Sequence, residues 1–353
     1  MKTICILFGG VSSEHEVSLR SAATVLHSIS REKFKPVMVG ITKEGRWLLY
    51  TGEVYDIPGG RWESSGKTCP AVLSPDRSHK GLLVLEQGGV RLMEIDAVFP
   101  VLHGKNGEDG TVQGLLELAG IPYVGCGVLS SAACMDKAVS HTLLTSVGIP
   151  KTELIALNRK DARDMAAMER HLAHALGYPL FVKPANAGSS VGVTKVGGPA
   201  ALAAALELAF AHDDKAVAER AVSGQEVECA VMGGDDPVAS DMIGEIAPPD
   251  GVYDYDSKYL NDTAGLFVPA RVPGEAAREV RELAVRAYRA MGCRGLARVD
   301  FFVTAEGKVT LNEINTIPGF TSISMYPRLF EASGLSVAET VERLITGALT
   351  GWE

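Results

Sequence analysis

No stretch of this 353-residue chain approaches the roughly 20 consecutive apolar residues that cross a bilayer, so a helical membrane protein is excluded. The apolar start, ending at Gly9-Gly10, lacks the length and cleavage site of a secretory signal. It reads as a first buried strand, and the protein as cytosolic. Positive charge is scarce: 34 Lys+Arg stand against 43 Asp+Glu, a formal net charge of -9. That balance disfavours nucleic acid, which calls for a basic stripe. An acidic chain still binds anions if it places its few cations locally. The cysteines, Cys5, Cys69, Cys126, Cys134, Cys229 and Cys293, form no C-x-x-C pair, which argues against zinc and dithiol chemistry and for reduced, mostly buried thiols. There is no G-x-x-x-x-G-K-[ST], hence no ordinary P-loop. Internal repeats and low-complexity tracts are absent too. With 46% hydrophobic and 22% charged residues the chain is globular, and its length suits two or three domains.

What is present is an alternation of strands and helices. Residues 2–8, 34–41 and 95–102 read as buried strands, and Ser13-Glu14-His15-Glu16 has capping-box spacing for a helix starting near Ser13. This alternation predicts an open parallel sheet with flanking helices. Residues 52–80, rich in Gly, Pro, Ser and charge, read as a surface insertion. A second unit follows Gly125. It has one helix over 129–147, strands at 178–183, 193–196 and 216–219, and a helix from Pro199. The third unit starts near Val222. It has a strand at 226–232, a polar, turn-rich and mobile loop at 250–265, a helix over 275–291 ending at Gly292, a hairpin of 298–303 with 308–315, and a last helix opened by a Ser336/Glu339 capping box. The division expected is 1–125, 126–221 and 222–353.

The hairpin carries the densest chemistry. Arg298 and Asp300 share one strand face, and Glu313 and Asn315 share a face of the next strand. Asp, Glu and Asn are hard oxygen donors suited to magnesium held together with phosphate, and Arg298 could grip a phosphoryl group bidentately. Solvated strand residues would show the same alternation. Lys183-Pro184 running into a Gly/Ser-rich turn offers a cation and backbone N–H groups to an anion, although a plain turn needs the same glycines. Glu219 and Glu226 flank a strand-to-strand passage and could hold an adenine amino group or ribose hydroxyls, or be ordinary surface glutamates. Lys137, within a helix, is equally ambiguous, since most helix lysines are only solvated. Glu14 lies where open parallel sheets bind ligands and could pair with a substrate ammonium, or simply suit the helix dipole. His103 opens a Gly-rich loop at a strand end, where it could meet a carboxylate.

Seven segments then occur in one order: Gly9-Gly10-Val11-Ser12-Ser13-Glu14-His15-Glu16-Val17-Ser18-Leu19; the loop His103-Gly104-Lys105-Asn106-Gly107-Glu108-Asp109-Gly110; Met135-Asp136-Lys137; Lys183-Pro184 with Gly188-Ser189-Ser190-Val191-Gly192; Tyr253-Asp254-Tyr255 with Lys258-Tyr259; Arg298-Val299-Asp300; and Asn312-Glu313-Ile314-Asn315-Thr316-Ile317-Pro318-Gly319. Together they closely resemble D-alanine–D-alanine ligases of the ATP-grasp superfamily, over essentially the whole chain. The resemblance implies an α/β, three-domain ATP-grasp architecture with an N-terminal open parallel-sheet domain and ATP gripped between the central and C-terminal domains. It implies two magnesium ions, replaceable by manganese, two D-alanine substrates, and a homodimer without nucleic-acid or membrane partners. The reaction implied is ATP-dependent ligation to D-alanyl-D-alanine through an acyl phosphate, for peptidoglycan precursors.

Residue by residue, the resemblance implies phosphate contacts from Lys137 and Lys183, and adenine and ribose contacts from Glu219 and Glu226. Asp300, Glu313 and Asn315 match the metal ligands. Arg298 and the Gly319 N–H would stabilise the acyl phosphate and the tetrahedral oxyanion. Glu14 would bind the first D-alanine's ammonium beside Val17, with His103 near its carboxylate, and Ser324 would bind the second carboxylate. Ser189 and Tyr259 would link with Glu14 to close a lid, and Lys258 would reach the γ-phosphate. Lactate-forming relatives replace the lid tyrosine by histidine, whereas Tyr259 is present. Serine-forming relatives can carry a cation after the residue matching Ser324, whereas Met325 is apolar. The expectation is D-alanine at both sites, with a D-alanine–D-serine ligase or a non-catalytic ATP sensor as the alternatives.

Overall fold

The structure is a computed structural model that describes residues 1–188, 191–247 and 265–352. Three sheets follow one another along the chain. In the first, β1 (Lys2–Gly9) pairs in parallel with β2 (Phe34–Ile41) and with β7 (Ala97–Leu102). Four further strands, β3 (Trp47–Tyr50), β4 (Thr68–Leu73), β5 (Gly81–Glu86) and β6 (Gly89–Glu94), extend antiparallel from β2. The expected parallel pairing is there and is confined to three strands. Parallel neighbours need crossovers of a dozen or more residues, and the connections from β2 to β6 carry no α-helix to make them. Helix α1 (His15–Ser28) covers one face through Leu19, Val25 and Leu26; α2 (Thr111–Ala119) covers the other through Val112 and Leu116.

The stretch 52–80 is not merely a surface insertion. It contributes β4, and its Trp62 is fully buried, edge-on to Phe8 at 5.2 Å and to Tyr50 at 6.1 Å. A Cβ on Gly40 would overlap that indole, so the glycine makes its pocket. Polar neighbours concealed one large apolar anchor. Trp62→Ala is expected to destabilise the fold by about 3–5 kcal/mol through the cavity it leaves; a urea midpoint within error of wild type would refute the anchor role.

The central region opens with α3 (Val128–Met135) and α4 (Lys137–Ser146). One helix over 129–147 was expected. It is broken at Asp136, which takes extended geometry and whose carboxylate accepts the Ala138 and Val139 N–H groups, both at 3.0 Å. A sheet follows in the order β10-β9-β11-β8, built from β8 (Leu154–Asn158), β9 (Leu180–Pro184), β10 (Thr194–Val196) and β11 (Lys215–Arg220). Helices α5 (Met165–Ala175) and α6 (Leu202–His212) cover the face bearing Leu180, Val182, Ala216 and Ala218. Lys183 and Glu219 therefore project from the opposite face.

The third sheet joins β12 (Gln225–Gly233), β13 (Val238–Ala239), β14 (Gly244–Ala247), β15 (Gly265–Phe267), β16 (Gly295–Val303) and β17 (Val309–Asn315). Helix α7 (Gly274–Ala290) buries Val280, Leu283 and Ala287 against Val227, Cys229, Val299 and Phe301. The expected stripe is there, and Gly292 follows at φ +63. Helices α8 (Met325–Ala332) and α9 (Val337–Thr350), the latter opened by the expected Ser336/Glu339 capping box, complete the fold. Phe8, Phe99 and Val101 of the first sheet share one core with Ala230 and Met232 of the third, through Phe320, Tyr326 and Leu344. That shared core brings the carboxyl ends of β1 and β7 over the polar face of the β16–β17 hairpin.

Candidate active site

Gly9 and Leu102 are register partners, so the loops after β1 and β7 leave side by side at the crevice where open parallel sheets bind ligands. Helix α1 begins at His15, two residues later than expected, and the Ser13/Glu16 capping box is out of register: Glu14 is the N-cap, and Glu16 pairs with Lys43. Ser18 sets the helix position. Its hydroxyl accepts the Gly9 N–H at 2.8 Å and donates to the Val101 carbonyl, tying α1 to both strand ends. Glu14 is buried between two glycines from separate loops. A Cβ would stand 2.5 Å from its Oε2 at Gly104 and 2.7 Å at Gly188.

Glu14 lines a cavity together with His103, Glu108, Glu228, Arg298, Glu313, Asn315, Gly319, Ser324 and Met325. The hairpin aims its residues there by a bulge. Arg298 faces Asn315 and Asp300 faces Glu313, but Phe301 faces Leu311, which leaves Asn312 as the extra residue. Leu311 points into the core with Phe301; after the bulge Ile314 takes the core side, and Glu313 and Asn315 face the cavity. Asp300 is buried and receives the Arg298 fork, Nε to Oδ1 at 2.8 Å and Nη2 to Oδ2 at 2.7 Å, and Asn315 Nδ2 donates to its Oδ2 at 2.9 Å. Glu228, the cross-strand partner of Asp300, meets Arg298 Nε at 3.0 Å. Arg298 is thus preoriented by two carboxylates. Ser324 is the N-cap of α8, and its hydroxyl lies 2.8 Å from Thr321 Oγ1. Met325 is buried beside Gly244, where a Cβ would strike its thioether.

A second, smaller cavity is lined by Lys137, Lys151, Lys183, Glu219, Asn312 and Glu313, with Cys134 and Ser140. Lys183 pairs with Glu219 at 2.5 Å. Burial opposes its charge, but Glu219 and the nearby Glu313 and Glu226 more than compensate and hold its pKa above the usual lysine value. Lys137 donates to the Ala187 carbonyl at 2.7 Å. Lys151 donates to the Asn312 carbonyl at 2.6 Å, and burial pushes its pKa down to about 8. Glu313 borders both cavities.

Of the residues expected at the site, these two cavities therefore gather Glu14, His103, Arg298, Glu313, Asn315, Gly319, Ser324 and Met325, and Lys137, Lys183 and Glu219. Asp300 sits directly behind Arg298. Val17 is buried on α1, and Glu226 lies on β12 opposite Phe302; neither lines these two cavities. Ser189, Lys258 and Tyr259, and nearly all of the 250–265 loop, lie outside the described residues.

Three charged lining residues were given no role from sequence: Glu108, Glu228 and Lys151. Glu108 Oε2 accepts the Gly104 N–H at 2.7 Å and Oε1 the Ile317 N–H at 3.2 Å. Burial, and then the nearby Glu14, raise its pKa from 4.5 to about 8. Between those values the unfolded chain loses this proton while the fold keeps it, so its contribution to stability falls as pH rises. Glu108→Gln is expected to flatten the decline of melting temperature across that window; parallel profiles for the two proteins would contradict it.

Two family models match the chain: "D-ala D-ala ligase N-terminus" over residues 3–126 and "D-ala D-ala ligase C-terminus" over 143–346. The curated D-alanine–D-alanine ligase of Thermoanaerobacter sp. (strain X514) is 47% identical over 350 residues, covering 99% of this chain and 96% of that protein. Among solved structures, the VanG D-Ala:D-Ser ligase of Enterococcus faecalis superposes with a TM-score of 0.89 at 45% identity, covering 98% of this chain and 99% of that one. The D-alanine-D-alanine ligase of Coxiella burnetii superposes at 0.86 with 34% identity, covering 99% and 96%. With both halves matched, in sequence and in fold, the chain belongs to the D-alanine–D-alanine ligase family.

Proposed function

We propose that this ATP-dependent ligase joins two D-alanines through an acyl phosphate. The observation that carries the reading is the pair of adjoining cavities with opposite charge. One is lined by Glu14, Glu228 and Glu313 around Arg298, the other by Lys137, Lys151 and Lys183 with Glu219, and Glu313 lies at their junction. The lysines suit a polyphosphate, and the carboxylates suit an ammonium and divalent cations.

In this reading Glu14 holds the first D-alanine's ammonium, and Arg298 faces its carboxylate. A carboxylate oxygen attacks the γ-phosphorus, ADP departs, and the acid becomes an electrophile. The neutral amine of the second D-alanine then attacks the acyl carbon. Arg298 and the Gly319 N–H hold the oxyanion, and phosphate leaves carrying the former carboxylate oxygen. Ser324 and the first turn of α8 suit the second carboxylate. Glu313 and Asn315 line the cavity and Asp300 lies buried behind Arg298, bonded to Asn315; these hard oxygen donors fit magnesium or manganese. Bound there, divalent ions supply charge neutralisation on the transferring phosphate. Glu219 and Glu226 are assigned to the adenosine moiety, Val17 to the wall beside the first D-alanine, and Ser189, Lys258 and Tyr259 to the lid. The units 1–125, 126–221 and 222–353 are taken as the three domains, an assignment the three sheets support, and the assembly as a cytosolic homodimer.

Buried Met325, at the place where serine-forming relatives can carry a cation, favours a methyl group at the second site. Overall likeness does not choose the acceptor, since the serine ligase is 45% identical. ADP release assayed with D-alanine, L-alanine, D-serine and D-lactate decides it. The expected result is ADP with D-alanine alone and the alanine dipeptide as the main product whichever acceptor is added. ADP formed without D-alanine, or a preponderance of ester or serine dipeptide, would overturn the reading.

A further inference from the structure

We propose that Ser21 and His103 form a positioning relay that sets the Gly319 amide, and that His103 acts on the reaction through this relay rather than by contact with the substrate carboxylate. The relay rests on the reading of the Gly319 N–H as an oxyanion donor.

The polarity of every bond in the relay is fixed by its ends. His103 Nδ1 lies 2.9 Å from the Ile317 carbonyl, which only accepts, so Nδ1 carries the proton. Burial lowers the His103 pKa to about 4, so the ring is neutral at neutral pH and Nε2 offers a lone pair. Ser21 Oγ lies 3.1 Å from that Nε2 and must donate to it. The same oxygen accepts the Phe320 N–H at 3.1 Å. Both ring nitrogens are therefore engaged, and only ring carbon remains to face the cavity. Ser21 is fully buried on α1, so water does not compete for its hydroxyl.

The consequence falls on residues 317–320. Ile317 is held at its carbonyl by His103 and at its N–H by Glu108, and Phe320 is held at its N–H by Ser21. Gly319 stands between these anchors, all three of which belong to the N-terminal α/β unit. The helix that starts at Glu14 thus also fixes the amide assigned to the acyl centre. A serine hydroxyl two turns into α1 has no helical reason to be buried; the relay supplies one.

Imidazole 15N NMR of the wild-type protein tests the bonds without any variant. The expected spectrum has His103 protonated at Nδ1 and bare at Nε2; protonation at Nε2 overturns the relay. Kinetics test its function. Ser21→Ala and His103→Asn, whose amide can retain the bond to Ile317, should each lower kcat by on the order of 10- to 100-fold with KM for D-alanine and ATP nearly unchanged. The double variant should be no slower than the slower single. Multiplying losses, or a raised donor KM in His103→Asn alone, would show direct substrate contact instead. Unchanged kcat in Ser21→Ala would leave the serine merely structural and also refute the relay. A phosphinate mimic of the tetrahedral species, added with ATP, separates the two readings. Weakened binding in Ser21→Ala in step with kcat supports the relay. Failure of the wild type itself to bind the mimic tightly refutes the role given to Gly319.

Discussion

Arg298→Ala is expected to lower kcat by on the order of 10²–10³-fold while leaving ATP affinity near wild type. The guanidinium is held by Asp300 at 2.7 and 2.8 Å and by Glu228 at 3.0 Å, so its orientation is settled before substrate arrives. Such preorganisation stabilises charge that develops in the transition state without reorganisation during the reaction. ATP affinity should survive because the lysines lie in the adjoining cavity. Arg298→Lys should recover little, since a point charge cannot reproduce the fork. Single-turnover kinetics with a fluorescent nucleotide check both parts. Lost nucleotide affinity with unchanged turnover would contradict the role. The variant also leaves Asp300 and Glu228 facing each other in a buried place, so a melting curve must accompany the kinetics to show that the protein is folded.

The second large effect is expected at Glu313. Glu313→Gln keeps the side chain's shape and removes the charge at the junction of the two cavities. The magnesium concentration for half-maximal turnover should rise by about 10–100-fold, and turnover at saturating magnesium should fall by on the order of 10³-fold, because neutralisation of the transferring phosphate is worth several kcal/mol. Glu313 also helps to keep Lys183 charged, so some loss of ATP affinity should accompany these changes. A magnesium titration of ADP release checks this. An unchanged magnesium requirement would mean that Glu313 serves the lysines alone.

The hairpin was legible because its chemistry is local. Val299, Phe301 and Val303 alternate with Arg298 and Asp300, and an antiparallel partner nearby in sequence must supply the facing residues. Even the bulge left a trace: Val309, Leu311 and Ile314 keep an apolar face but slip by one residue. What escaped depends on distant partners. Glu228 becomes part of the site only through its pairing with Asp300. Ser21 looks like any helical serine until His103, 82 residues away, is placed against it. Lys151 joins the site only because β17 passes beside it. Two expectations failed through local competition. Asp136 caps a new helix instead of continuing one, and Ser18 tethers α1 so that it starts at His15. Trp62 escaped because the hydrophobic pattern around it is too polar to mark a buried position.

The account's central claim is that a phosphoryl group passes from the lysine-lined cavity to an amino-acid carboxylate in the adjoining one. Turnover with D-alanine labelled with 18O in its carboxylate, followed by mass spectrometry of the released phosphate, tests that passage most directly. One labelled oxygen per dipeptide should appear in the phosphate. Dipeptide formed with unlabelled phosphate would contradict the claim.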